Sequence, residues 1–271
     1  MSRPLLVVDG DSLAHRAYHG LPKSVRLNAV VGFTNMLVRL WESEEPRAVF
    51  VGWDTLTVPT YRHEALEGYQ SGRVFDKSLL EQLDMLPELV RSLGFAAAKE
   101  DGYEADDFLG AAVRFEEKRG GTAVVATSDR DSFQLASEQT TIVTPVRGVS
   151  ELARIGPEEV RERYGVEPAQ VPDFIALRGD PSDKIPGAPG VGPKTAASIL
   201  KQYGSLDAAL DAGRFPNLRE ELELYRRIAT LDASAPIPPL KDQSPTWAEA
   251  SSLLDSWGLA NLAGRIAARS A

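Results

Sequence analysis

The chain contains no cysteine, which removes disulfides, thiolate metal sites and thiol nucleophiles together. It also lacks any apolar run near the roughly 20 residues needed to cross a bilayer. The N-terminus has no signal-peptide layout: Leu5-Leu6-Val7-Val8 is apolar but stops at Asp9-Gly10-Asp11, so it reads as a buried strand. There is no repeat at a solenoid period and no low-complexity tail. These absences leave a chain compatible with a reducing cytoplasm, and a cytoplasmic protein with no membrane partner is the expectation.

What is present is ordinary in bulk. The 271 residues are 43% hydrophobic and 25% charged, enough to build one large domain or a core with a smaller lobe. Short apolar runs at Leu5–Val8, Ala48–Trp53, Thr122–Ala126 and Thr140–Val143 alternate with amphipathic segments at Asn28–Glu42, Lys77–Leu93 and Ala105–Lys118. That alternation predicts an α/β domain with a mainly parallel central sheet flanked by helices, over residues 1–155. Between the second strand and the next helix, Val58–Asp76 shows little apolar periodicity and is expected as a surface excursion.

After about residue 155 the character changes. Pro157–Tyr164, Val171–Leu177, Lys194–Tyr203 and Ala248–Ala268 read as helical, with a Gly/Pro-rich stretch at Gly179–Pro193 and a loop at Pro236–Pro245. The expectation is an all-helical C-terminal lobe over 156–271.

A net charge of −9 argues at first against nucleic acid, because phosphates need Lys and Arg on the contact face. The distribution of acids changes that reading. Asp9 and Asp54 end the first two strands, Asp129 and Asp131 follow the third, and Glu104, Asp106 and Asp107 enter a helix. Ligands of open α/β sheets sit beyond the carboxyl ends of the strands, so separate strands deliver carboxylates to one edge.

Each acid alone has an ordinary role. Asp106 and Asp107 suit a helix start, Asp54 a cap, Asp9 a turn, and Asp129-Arg130-Asp131 a solvated loop. Gathered together they repel: two carboxylates 4 Å apart cost about 4 kcal/mol at an effective dielectric of 20. Cations relieve this, and oxygen ligands without His or Cys select the hard ions Mg²⁺ or Mn²⁺. A pair of such ions about 3.5–4 Å apart serves phosphodiester displacement.

The ordered motifs Val8-Asp9-Gly10, Trp53-Asp54, Tyr61-Arg62-His63-Glu64, Gly102–Asp107, Thr127-Ser128-Asp129-Arg130-Asp131, Gly179-Asp180-Pro181-Ser182-Asp183 and Ile185-Pro186-Gly187 through Gly190–Ala196 resemble the 5′-nuclease (flap endonuclease) family. That family includes the 5′→3′ exonuclease domain of bacterial DNA polymerase I, and the resemblance is to that domain as a stand-alone protein. It implies a PIN-like nuclease core with an arch or gateway at about 58–88, and a helix–two-turn–helix DNA-binding element at about 185–205.

The implied activity is divalent-metal-dependent 5′→3′ exonuclease and 5′-flap endonuclease cleavage of DNA by two metal ions, in Okazaki-fragment processing or repair. Asp9, Asp54, Glu104 and Asp106 would surround one ion. Asp107, Asp129, Asp131, Asp180 and Asp183 would surround the second. With 39 acidic against 30 basic residues, those nine acids account for the whole charge excess. The resemblance further implies Arg62 and Arg73 at the scissile phosphate, and His15, Arg16, Tyr69 and Gln70 as DNA contacts at the gateway. Gly190, Gly192, Lys194 and Thr195 would hold duplex phosphates, with a K⁺ at the same turn. The expected partners are 5′ flaps, nicks and duplex 5′ ends, with RNA primers in RNA–DNA hybrids as a further class, bound by a monomer.

Three positions depart from the family pattern: Gln70 stands where relatives carry Lys, His15 where they carry Tyr, and Lys184 where they carry Asn. A DNA-junction binder that cuts poorly is therefore the alternative reading. A phosphatase of the haloacid dehalogenase type, using Asp9 of Asp9-Gly10-Asp11-Ser12 as nucleophile, is a third; it has no use for Asp180, Asp183 or the Gly190–Ala196 segment.

Overall fold

The computed structural model describes residues 3–147 and 151–270. In its first part the order is β1 (Leu5–Asp9), α1 (Gly10–Gly20), α2 (Asn28–Glu44), β2 (Ala48–Gly52), α3 (Tyr61–Ala65), α4 (Lys77–Ser92), β3 (Ala96–Ala98), α5 (Ala105–Lys118), β4 (Ala123–Ala126), β5 (Thr140–Arg147) and β6 (Glu151–Ile155). The strands form one sheet ordered β3-β2-β1-β4-β5-β6. The first five run parallel and β6 pairs antiparallel with β5.

Side chains of β1 alternate between two cores, as the period of two requires. Leu5 and Val7 face α5 and the helices beyond it, whereas Leu6 and Val8 face α1, α2 and α4. Every residue of β1, β2 and β4 is buried, which is why these strands are continuous apolar runs without polar alternation. Each fully buried Leu, Val or Phe here contributes roughly 1.5–3 kcal/mol relative to exposure.

The second part contains α6 (Pro157–Tyr164), α7 (Val171–Arg178), α8 (Pro193–Tyr203), α9 (Leu206–Asp211), α10 (Arg219–Ala229), α11 (Trp247–Ser256) and α12 (Ala260–Ala267). Helix α7 is buried from Val171 to Leu177 and packs on α8 and α10. The all-helical character expected after residue 155 is present. The closing helices, however, do not stay with that lobe: Trp247, Leu254, Leu262 and Ile266 join the core beneath α2 and α4. Arg265 and Arg269 tie α12 to Asn35 and Glu42 of α2.

Besides the short helix α3, the structure adds three elements that periodicity does not reveal. Strand β3 is the tripeptide Ala96-Ala97-Ala98, whose intrinsic preference is not β; pairing with β2 overrides it. Strand β6 is largely exposed and so has no core-facing run. Helix α1 begins inside the turn-like Asp9-Gly10-Asp11, where Asp9 caps it by accepting the Ser12 amide at 2.9 Å. Gly10 is required there because a Cβ would lie 2.5 Å from the ring of buried Trp53.

The excursion expected at Val58–Asp76 also differs. Thr60, Arg62 and Tyr69 are buried, so the segment is folded down onto the core rather than solvated. Residues 77–88 of the expected gateway belong to α4, whose Leu79, Leu83 and Leu86 are core. His63, Glu64, Glu67 and Gly68 stay at the surface, as does the crossing over Ser71–Val74, with Val74 92% exposed.

Candidate metal centre

The carboxyl ends of β1, β2 and β4 and the start of α5 open onto one cavity of about 440 Å³. Asp9, Asp54, Glu104, Asp106, Asp129, Asp131 and Asp183 line it together, as the sequence pattern requires, and Asp11 joins them. Asp11 went unassigned to the ion set in the sequence; its signal is its place two residues after Asp9 at a strand end. Ser12, His15, Arg62, Tyr69, Gln70 and Arg73 are among the other side chains that line it.

The fold holds Asp9 and Glu104 by both carboxylate oxygens and Asp54 and Asp129 by one. Asp9 accepts the Ser12 amide and the Thr127 hydroxyl at 2.7 Å. Asp54 accepts the Ala105 amide at 2.6 Å, while its own amide donates to Asp11 at 2.8 Å. Glu104 accepts from the hydroxyls of Thr60 at 3.0 Å and Tyr69 at 3.2 Å. Asp129 accepts the Asp131 amide at 2.9 Å, a tight turn in the loop after β4.

Burial and mutual repulsion hold this cluster away from full ionisation. Burial pushes the Asp9 carboxyl up to about 7, with the charges of Asp54 and Asp129 adding to it. Burial likewise pushes Glu104 up to about 7, against the opposing charge of Arg62. Asp11, Asp54, Asp106, Asp131 and Asp183 are raised too, chiefly by burial; Asp106 also feels Asp129, Asp9, Asp54 and Asp131. A buried set of oxygen donors that strains to lose its protons fits Mg²⁺ or Mn²⁺. Among the described residues, no trio is already drawn in to coordinating distance. The acids ring the cavity rather than form a closed cage.

Two of the nine expected ligands stand elsewhere. Asp107 is completely buried, and its oxygens accept from Arg62 at 2.8 and 2.7 Å, from the Glu104 amide at 3.1 Å and from the Asp232 amide at 2.7 Å. All its lone-pair capacity is consumed in joining α3, α5 and the segment after α10. Asp180 is buried, accepts the Ser182 amide at 2.8 Å and Arg178 at 3.1 Å, and its backbone bridges to Ile185. It shapes the turn that presents Asp183 and does not line the cavity.

The expected DNA contacts divide the same way. Arg62 is 2% exposed and also donates to the Ile228 carbonyl at 2.8 Å, so it is an internal strut. Burial works against its charge, but hydrogen bonding to Asp107 and the charge of Glu104 push its pKa up. Tyr69 is buried with its hydroxyl on Glu104. Arg62, Tyr69, Gln70 and Arg73 all line the cavity; Gln70 and Arg73 both donate to Asp183 there, at 3.1 and 2.9 Å.

His15 lies half-buried at the rim, edge-on to Phe75 with ring centroids 5.3 Å apart. Burial, followed by the charges of His19 and Arg73, lowers its pKa. At the far end, Gly190, Gly192, Lys194 and Thr195 are exposed at the start of α8. Gly190 has φ +74°, and a Cβ on either glycine would meet nothing within 4 Å. This turn is open to a backbone approaching from solvent.

A larger groove of about 1260 Å³ adjoins the acidic cavity through Ser12, His15 and Ser128. It runs between α1, α2 and α12 and is bordered by Arg16, Arg39, Arg265 and Arg269. Basic residues thus flank the acids although the whole chain is negative, so net charge is a poor guide to this face. Among the described residues, no helix is long and apolar enough to cross a membrane.

Comparison with known proteins supplies independent identification. Residues 4–165 match the family model of the 5′-3′ exonuclease N-terminal resolvase-like domain, and residues 166–248 that of the 5′-3′ exonuclease C-terminal SAM fold. DNA polymerase I of Mycobacterium leprae is 43% identical over 215 residues, which is 76% of this chain and 24% of that protein. DNA polymerase I of Bacillus caldotenax is 39% identical over 240 residues, 85% of this chain and 27% of that protein. The chain therefore spans about a quarter of the length of these curated relatives. Among solved structures, zinc-bound T5 5′-exonuclease superimposes with a TM-score of 0.69 at 19% identity, over 97% of this chain and 98% of that one. The catalytic core of Rad2 in complex with DNA substrate gives 0.62 at 15% identity, over 98% and 91%. These likenesses show the fold: a mostly parallel, resolvase-like α/β core with a helical SAM-like lobe.

Proposed function

Because the chain belongs to the 5′-3′ exonuclease family, we propose that it is a structure-selective DNA 5′ nuclease that cuts 5′ flaps and 5′ ends using two divalent cations, Mg²⁺ or Mn²⁺. The observation that carries this reading is the convergence of eight carboxylates on one cavity, seven of them held above their ordinary pKa. Asp9, Asp54, Glu104 and Asp106 would hold one ion, with Asp11 beside them. Asp129, Asp131 and Asp183 would hold the other, and Asp106 lies between the two groups. Held by these acids, such ions would supply an activated water at neutral pH and charge stabilisation for the leaving 3′ oxygen.

The protein's own residues provide the rest. Arg73 stands at the cavity rim, 41% exposed, where a guanidinium can grip a phosphate in bidentate fashion. The groove bordered by Arg16, Arg39, Arg265 and Arg269 offers a second backbone track next to the cavity. The open glycine turn before α8, with Lys194, holds a duplex phosphate at a distance from the cut. Recognition through phosphates at separate places fits a substrate defined by its shape rather than its sequence. RNA-primed hybrids presenting the same 5′ end fall within this class, as does a role in replication or repair.

The test is a cleavage map on end-labelled 5′-flap, nicked, blunt and RNA-primed duplexes with Mg²⁺ or Mn²⁺. Products released from the 5′ side and lost in Asp131→Asn are expected. Tight binding of the flap with no products at high enzyme concentration would establish the junction-binding alternative.

A further inference from the structure

The crossing segment of the gateway is fastened to the helical lobe at one carboxylate. Oδ1 of Asp183 accepts both the Arg73 guanidinium, at 2.9 Å, and the Gln70 side-chain amide, at 3.1 Å. The Gln70 backbone amide also points to the Asp183 carbonyl, at 3.4 Å. Gln70 and Lys184, on the two sides of this junction, both have left-handed backbones, with φ of +49° and +61°. Non-glycine residues adopt that conformation at a cost, and it persists only where surrounding contacts enforce it. The Gln70 amide is in turn bonded to the Tyr69 hydroxyl, which donates to Glu104. One strap therefore touches a carboxylate of each expected ion group.

From this geometry we propose that Arg73 and Gln70 form a substrate-released latch on Asp183, so that the second ion site is completed only when DNA enters. The proposal rests on the nuclease reading above. A divalent cation drawn to the Asp183 carboxylate would compete with the Arg73 guanidinium for its negative charge. Arg73 lies on the rim, more exposed than the 15%-exposed Asp183 side chain, so an arriving phosphate meets it first. Transfer of Arg73 from carboxylate to phosphate exchanges one bidentate-capable anion for another and frees Asp183 for the ion. The coupling is reciprocal: DNA that tightens ion binding is itself bound more tightly when the ion is present.

The test is a calorimetric titration of the full chain with Mn²⁺ alone, with and without a nicked duplex, for wild type, Arg73→Ala, Gln70→Ala and Asp183→Asn. In wild type, duplex is expected to tighten the weaker of the two Mn²⁺ sites by about tenfold, within the usual range of coupling. Arg73→Ala should tighten that site without duplex by a similar factor, Gln70→Ala by less, and duplex should then add little. Asp183→Asn should lose the weaker site and keep the stronger. Equal weak-site affinity in wild type and Arg73→Ala overturns the latch while leaving the nuclease reading intact. Retention of both sites in Asp183→Asn overturns it too. Absence of all Mn²⁺ binding in wild type overturns both.

Discussion

Arg62 and Asp107 face each other through two parallel hydrogen bonds of 2.8 and 2.7 Å, with side chains 2% and 0% exposed. The pair joins the short helix α3 to the start of α5 and, through the Ile228 carbonyl and the Asp232 amide, to the end of α10. Removing either partner leaves the other buried and uncompensated. Arg62→Ala or Asp107→Asn is therefore expected to lower stability by about 3–5 kcal/mol, read as a fall in the urea midpoint at unchanged slope. An unchanged midpoint would contradict a structural role and return both residues to the substrate site.

Asp131→Asn is expected to act in opposite directions on stability and activity. Burial and the charges of Asp129, Asp183 and Asp180 raise the Asp131 carboxyl, so neutralising it relieves repulsion and should raise the melting temperature of the metal-free protein. Cleavage of a 5′ flap should fall by about 100-fold or more, since even residues that only support a metal ligand matter 10–100-fold. Parallel melting curves and flap assays check both halves.

Metal-free stability should decline as pH rises. Asp9 and Glu104 titrate at about 7 in the folded protein, against roughly 4 in an unfolded chain. Between those values the folded state binds more protons than the unfolded one, so each carboxylate contributes stability below about pH 4 that is lost through about pH 7. Melting temperatures measured in chelator at several pH values should show this slope. Millimolar Mg²⁺ should flatten it by binding the ionised folded cluster. A slope unaffected by Mg²⁺ would count against ion binding at these acids.

Two exposed cations offer a test of the DNA path. Arg39, on α2, borders the groove, and Lys194 lies in the first turn of α8. Replacing either with Ala should weaken duplex binding across all sequences and reduce the slope of log affinity against log salt by about 0.9. Fluorescence anisotropy at several salt concentrations measures this; a changed sequence preference with an unchanged slope would rule out a phosphate contact.

The glycines before α8 should separate into two kinds. A Cβ on Gly187 would sit 2.3 Å from the Gly179 amide nitrogen, inside packed backbone. Gly187→Ala is thus expected to unfold this turn and lower the melting temperature markedly. Gly190 has open space around it and carries only its φ of +74°, so Gly190→Ala should cost about 1–2 kcal/mol. Comparable losses at both positions would show that Gly190 is packed by something beyond its backbone angle.

Much of the site is legible in the sequence because its geometry follows from strand ends. Asp9, Asp54 and Asp129 come after continuous apolar runs, and parallel pairing in register brings those ends together without further information. What the sequence conceals is which acids are already partnered. Asp106 and Asp107 are adjacent and alike, yet one lines the cavity and the other is consumed by an arginine 45 positions earlier. Helical rotation of about 100° per residue separates them, and nothing in the local pattern names the distant partner. Arg62 and Tyr69 were hidden for the same reason. A polar segment without periodicity looks solvated, whereas here the polar groups point inward to one another.

The return of α11 and α12 to the first lobe has a consequence for how the molecule is made. Leu6, Val8 and Leu37 belong to the same apolar core as Leu254, Leu262 and Ile266, more than 200 positions later. During synthesis that face stays uncovered until α11 and α12 have left the ribosome. Contacts of such long range are slow to form, and the exposed intermediate is prone to association. Maturation of the α/β core therefore waits on α11 and α12, and a chain interrupted before them would hold every acidic side chain of the cavity on a lobe whose other face is bare.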